Sequence, residues 1–133
     1  FEQTGSFYAT TNDLQITGSL GVSKAIGGQN STISIAGDTG SIDLTQGNSF
    51  TLTLQNNADT HLDVSTFGEE AQSVNILVKQ PSSGVTGSIS FSSDFKFGQG
   101  YEYVPTPQTS SEDIISFTRY GNFLYGTYIN NFS

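Results

Sequence analysis

The chain has no cysteine, no methionine and no tryptophan, and it carries one histidine, three prolines and four basic residues among 133. Without cysteine there is no disulfide, no thiolate metal site and no thiol nucleophile, and the redox state of the compartment leaves no mark on the sequence. The lack of methionine extends to position 1, so the sequence is expected to be a processed or excised piece. The single histidine, His61, limits any Ser-His-Asp triad to that residue, with Asp59 or Asp63 to orient it, and no Gly-x-Ser-x-Gly elbow accompanies them. Lys24, Lys79, Lys96 and Arg119 stand against twelve acidic residues, for a net charge of −8. Such a surface repels phosphate backbones and anionic membranes, so neither nucleic acid nor membrane is expected as a partner. No apolar run approaches the ~20 residues of a membrane-spanning helix.

Charge itself is scarce: 12% of residues are charged, against ~25% in ordinary globular domains. Ser, Thr, Asn, Gln and fifteen glycines carry the polarity instead. Short hydroxyl and amide side chains compete with helical backbone bonds, so this composition favours strands and tight turns. The hydrophobic period is two. Residues 31–36 alternate, as do 50–54, where Phe50, Leu52 and Leu54 share a face, and 61–65, where Leu62 and Val64 do. Further strands are predicted near 73–79, through Ile76 and Val78, and near 86–92, through Ile89 and Phe91. "DIISFTRYGNFLYGTYINNF" reads as a hairpin turning at Gly121-Asn122. Ile115 and Phe117 face one way on its first strand, and Phe123, Tyr125 and Ile129 share a face on its second. Residues 80–84 and 98–112 read as loops.

Thr-Gly-Ser followed by an apolar residue occurs four times, at Thr4, Thr17, Thr39 and Thr86. The spacings of 13, 22 and 47 residues make no strict repeat. Two readings fit. The tripeptide is either turn chemistry, or part of short strands that gain a partner from a neighbouring chain. The division expected is an N-terminal arm of short strands over 1–30, followed by a β-sandwich domain over 31–133. The fold class expected is all-β, an antiparallel sandwich or jelly roll preceded by that arm, with any helix confined to a short turn.

Three groups of residues invite chemistry. Asp59, His61 and Asp63 alternate on one strand face, at steps of ~6.5–7 Å, and carboxylate with imidazole suits a hard or borderline metal ion. An extended strand aims these side chains in parallel, however, and Leu62 and Val64 on the opposite face make them the solvent side. Tyr101 and Tyr103, in "FSSDFKFGQGYEY", are candidates for stacking on a sugar, against a reading as loop anchors beside a phenylalanine core. Glu69, Glu70, Asp94, Glu102, Glu112 and Asp113 are raw material for paired-carboxylate hydrolysis, but acids in Ser-rich loops are ordinarily solvated charge. "IGGQN" at 26–30 precedes no helix and is not a phosphate cradle. Neither enzyme activity nor a cofactor is expected.

"FEQTGSFYATTNDLQITGSLGVS" resembles repeated β-segments in virion structural proteins of tailed bacteriophages, in particular marine and cyanobacterial myoviruses. "IDLTQGNSFTLTLQNNADTHLDV", "VNILVKQ", "ISFSSDFKFGQG" and "DIISFTRYGNFLYGTY" together resemble a phage appendage module. The resemblance implies a fibre, spike or capsid-decoration protein, commonly homotrimeric, on the virion surface and so extracellular. Its partners would be its own copies, other virion proteins and a host surface glycan. A carbohydrate- or receptor-binding module and an extracellular filament subunit are the alternatives.

Overall fold

Ten strands follow from these alternations: β1 (Asn30–Thr32), β2 (Ile35–Ala36), β3 (Thr39–Asp43), β4 (Ser49–Thr53), β5 (Asp59–Thr66), β6 (Ser73–Lys79), β7 (Ser88–Phe91), β8 (Phe95–Phe97), β9 (Glu112–Tyr120) and β10 (Phe123–Phe132). The computed structural model describes residues 17–19, 21–23 and 27–132. The Thr4 copy of the tripeptide and most of the 1–30 arm lie outside the described residues. Helix among the described residues amounts to two 3-10 turns, Leu44–Gln46 and Gly98–Gly100.

The all-β expectation is met, but the strands are not arranged as an antiparallel sandwich or jelly roll. They form two mixed sheets, one of six strands in the order β1-β4-β6-β9-β10-β8 and one of four in the order β2-β3-β5-β7. Within the first, β1, β4 and β6 run parallel. Within the second, β3, β5 and β7 do. Successive strands from β3 to β8 alternate between the sheets, so the chain coils in the manner of a β-solenoid instead of returning by hairpins. Period-two alternation identifies a strand and its buried face, but it is the same for parallel and antiparallel partners when each sheet has one dry side. That is why the direction was not legible.

The C-terminal hairpin breaks the coil. β9 pairs antiparallel with β6, β10 antiparallel with β9, and β8 parallel with β10. β8 therefore runs in the direction of β6 and occupies the place of the next coil strand, with β9 and β10 wedged between them. The hairpin turns at Gly121, φ 58°, with Tyr120 opposite Phe123, as the Gly-Asn pair predicts.

One core lies between the sheets. Ile42 and Leu62 from the smaller sheet face Phe50, Leu52, Val74, Ile76 and Val78 from the larger. Fully burying each such side chain is worth ~1.5–3 kcal/mol. The wedge adds inner surface that has no fifth or sixth strand opposite it, and rings fill the space. Phe91, at the end of β7, lies 5.2 Å from Phe95 and 5.0 Å from Phe97, centroid to centroid, and Phe117 lies 5.3 Å from Phe95. These tilted and edge-to-face contacts add to the burial of the rings.

The Thr-Gly-Ser tripeptides at 39 and 86 are not turns. Thr39-Gly40-Ser41-Ile42 lies within β3, and Thr86-Gly87-Ser88-Ile89 leads into β7. These two strands flank β5 on either side. Gly40 faces inward, where a Cβ would crowd Ile33 at 3.2 Å and reach ordinary contact with Leu62 and Leu52. At Gly87 a Cβ would collide with the Gln55 carbonyl oxygen, while the Gly87 amide donates to Gln80 Oε1 at 2.9 Å. The glycine permits close approach of backbone, and the residues around it form strand. Predicted strand 31–36 also divides: Ile33 lies between β1 and β2, which belong to different sheets.

Gly87→Ala should therefore destabilise the fold by about 1–3 kcal/mol or more. Gly98→Ala, where a Cβ meets nothing within 4 Å, should stay within about 0.5 kcal/mol of the parent. Urea unfolding of the two variants checks the contrast.

Candidate functional site

The sequence-level candidates fall in three separate places. On β5, Asp59, His61 and Asp63 do share the outer face of the four-stranded sheet, where neighbouring strands supply hydroxyls. Asp59 accepts from Ser88 Oγ at 2.7 Å and from Ser90 Oγ at 2.7 Å, and Ser90 Oγ lies 3.2 Å from His61 Nδ1. The Ser88 hydroxyl, then that of Ser90, holds the Asp59 carboxyl below its ordinary range against a small opposing effect of burial. The side chains run side by side as period two requires, and no group of three His, Asp or Glu among the described residues converges on a common metal position. One carboxylate oxygen of Asp63 is buried without a hydrogen-bond partner. What the arrangement provides is an anionic, hydroxyl-lined sheet face.

Tyr101 and Tyr103 part company. Tyr101 is 70% exposed on the loop after β8. Tyr103 is 1% exposed, with its ring 5.3 Å from that of Tyr128, and has no face free for a ligand. Its hydroxyl donates to Asp113 Oδ2 at 2.5 Å. Asp113, 2% exposed on the inner side of β9, also receives the Thr106 amide at 2.8 Å, Thr106 Oγ1 at 2.7 Å and the Asn131 amide at 2.7 Å. One carboxylate thus ties the 98–111 loop and the end of β10 to β9. Burial works to raise its pKa, but the donors led by Tyr103 outweigh it and the net shift is downward. The Tyr103 phenol is driven upward by burial and by its acidic partner.

The other acids serve different neighbours. Glu112 pairs with Lys79 at 2.9 Å. Glu70 accepts from the Gly121 amide at 3.1 Å and lies 3.8 Å from Arg119. The buried Arg119 also donates to the carbonyls of Gly68 and Gly121 and covers the Phe67 ring at 5.3 Å. The Glu112–Lys79 pair joins β9 to β6, while the contacts of Arg119 and Gly121 with Phe67, Gly68 and Glu70 secure the loop before β6 to the turn of the hairpin.

The surface that sequence reasoning missed is the outer face of the six-stranded sheet at the hairpin. Phe123, Tyr125 and Ile129 share a face as predicted, and it is the solvent side: they are 39%, 50% and 65% exposed. Tyr120, 60% exposed, lies 6.0 Å from Tyr125, and Lys96 Nζ sits 4.8 Å from the Phe123 centroid. A shallow groove of about 340 Å³ runs beside Tyr125 over Gly98 and Gly126. The signal was present in "FLY", where apolar residues at consecutive positions of a strand must occupy both of its faces. No family model, no curated protein and no solved structure matches the chain.

Because Asp113 is depressed in the folded state, it stabilises the fold above its unfolded value of 3.8, and that contribution is lost as pH falls through the lower folded value. Tyr103→Phe should cost about 1.5–3 kcal/mol at neutral pH, and Asp113→Asn should flatten the loss of stability below pH 3.8. Urea unfolding measured from pH 2 to pH 7, roughly the span over which carboxyls titrate, checks both outcomes.

Proposed function

We propose that this chain is a non-enzymatic structural module of a tailed-phage virion, a tail fibre, spike or capsid-decoration element, which self-associates as a trimer on the particle surface. The observation that carries the reading is the parallel coil: short Ser-, Thr- and Asn-rich strands alternate between two sheets around one continuous core. Such a coil is stiff for its length and presents flat, hydroxyl-lined faces, which is what a surface scaffold needs. Hydrogen-bonded β-structure with so little charge also suits exposure outside cells, where slow unfolding protects against proteolysis. The phage-like sequence segments supply the virion setting and the threefold number. A second reading, a host-glycan-binding module, is favoured by Tyr101, whose ring is exposed on the loop after β8; both readings place the chain at a particle surface.

Size-exclusion chromatography with light scattering is the test. The expected result is a discrete species of three times the 14.2 kDa of one chain. A monomer persisting at high concentration contradicts the self-associating module, and open polymers under the electron microscope favour an extracellular filament subunit.

A further inference from the structure

The two sheets present very different electrostatics to solvent. The outer face of the four-stranded sheet holds Asp59 and Asp63, with Asp43 at the end of β3, and the Asp59 carboxylate is held ionised by two serine hydroxyls. On the outer face of the six-stranded sheet, the charges among the described residues are Glu112 and Lys79, paired with each other at 2.9 Å, and Lys96 over the Phe123 ring. The rest of that face is hydroxyl, amide and apolar. Leu77, Ile114 and Ile129 are aligned across β6, β9 and β10 by the strand register. Tyr120, Phe123 and Tyr125 lie together at the hairpin end.

We infer that the outer face of the six-stranded sheet is the surface on which a second copy of this chain docks, centred on Ile129, Ile114 and Tyr125. The inference rests on the self-association proposed above and names its surface. Its argument is charge. A molecule with a net charge of −8 repels its own copy, and contact through the outer face of the smaller sheet would bring its acidic side chains against those of the copy as water is excluded. The larger sheet can meet a copy with its one acid already neutralised, and it has exposed aliphatic and aromatic side chains to bury. Size agrees: six strands at ~4.8 Å spacing, roughly 20 Å long, give a plan area on the order of 600 Å² before side-chain relief is added, near the ~800 Å² that each partner contributes to a standard interface. The aromatic cluster and the aliphatic row supply the central anchors such interfaces use, with Thr and Asn side chains around them as the rim.

The test uses Ile129→Glu, at an exposed position where the added charge should leave the fold intact, and Ser41→Lys on the opposite sheet, where the new cation lies beside Asp63. By light scattering across a dilution series, Ile129→Glu should weaken association at least about tenfold, and Ser41→Lys should associate as the parent does. Association of Ile129→Glu at parental strength, or dissociation caused by Ser41→Lys, overturns the assigned surface while leaving self-association standing. A parent that is monomeric throughout overturns both. Hydroxyl-radical footprinting of the unmodified chain provides a readout independent of folding in the variants: Tyr125 and Tyr120 should become protected at high concentration while Tyr101 stays reactive. Unchanged reactivity of Tyr125 contradicts the docking.

Discussion

The wedging of one hairpin into a parallel coil is the constraint on which the rest of the molecule depends. From β3 to β8 the chain alternates between two sheets, and β8 would complete the larger sheet beside β6. Instead β9 and β10 stand between them. The larger sheet becomes two strands wider than its partner, and the extra inner surface has to be covered by side chains and a loop. The phenylalanine cluster and the Asp113 network both follow. Phe91, Phe95, Phe97 and Phe117 fill the uncovered space. Gly126 has no side chain because the Phe117 ring lies where its Cβ would be. Asp113 draws the 98–111 loop over the remaining opening through Tyr103 and Thr106. A buried carboxylate is costly when unpaired, and four donors at 2.5–2.8 Å make this one a point of attachment.

The wedge also sets the character of the outer surface. Two additional strands bring Tyr120, Phe123, Tyr125 and Ile129 to the solvent side of the larger sheet, while the acidic residues of β5 remain on the smaller one. The molecule is therefore two-faced, anionic on one side and nearly neutral with aromatic anchors on the other. Charge concentrated on one face and nearly absent from the other makes the two faces unequal as contact surfaces, since like charges oppose close approach.

Much of this architecture was legible in the sequence, and the failures share a cause. Strand β6 coincides with the predicted 73–79, and Gly121-Asn122 marked the hairpin turn, because both signals are local: an alternation and a positive φ. Strand β3 was missed because Thr39-Gly40-Ser41 has turn composition, and what a Cβ at Gly40 would crowd, the Ile33 side chain 3.2 Å away on the link between β1 and β2, is set by packing and not by the tripeptide itself. Strand direction and the insertion of the hairpin are likewise properties of pairing across 19 to 45 residues of chain, which no short window encodes. Among the site residues, the outward face of Asp59, His61 and Asp63 was readable from period two. The fates of Tyr101 and Tyr103 were not, since two positions on one loop differ in whether a buried acceptor, Asp113, awaits the hydroxyl.

The absence of cysteine makes the wedge directly measurable. Lys96 on β8 lies in register beside Tyr125, which is followed across the sheet by Thr118 and then by Ser73 on β6. Neighbouring strands are within reach of a disulfide, which needs Cα atoms closer than about 7 Å, whereas three strand spacings put Lys96 and Ser73 ~14 Å apart. Under mild oxidation the double variant Lys96→Cys with Tyr125→Cys should close an intramolecular disulfide in the folded protein, and Lys96→Cys with Ser73→Cys should not. Closure of the second pair in preference to the first would place β8 directly against β6 and contradict the inserted hairpin.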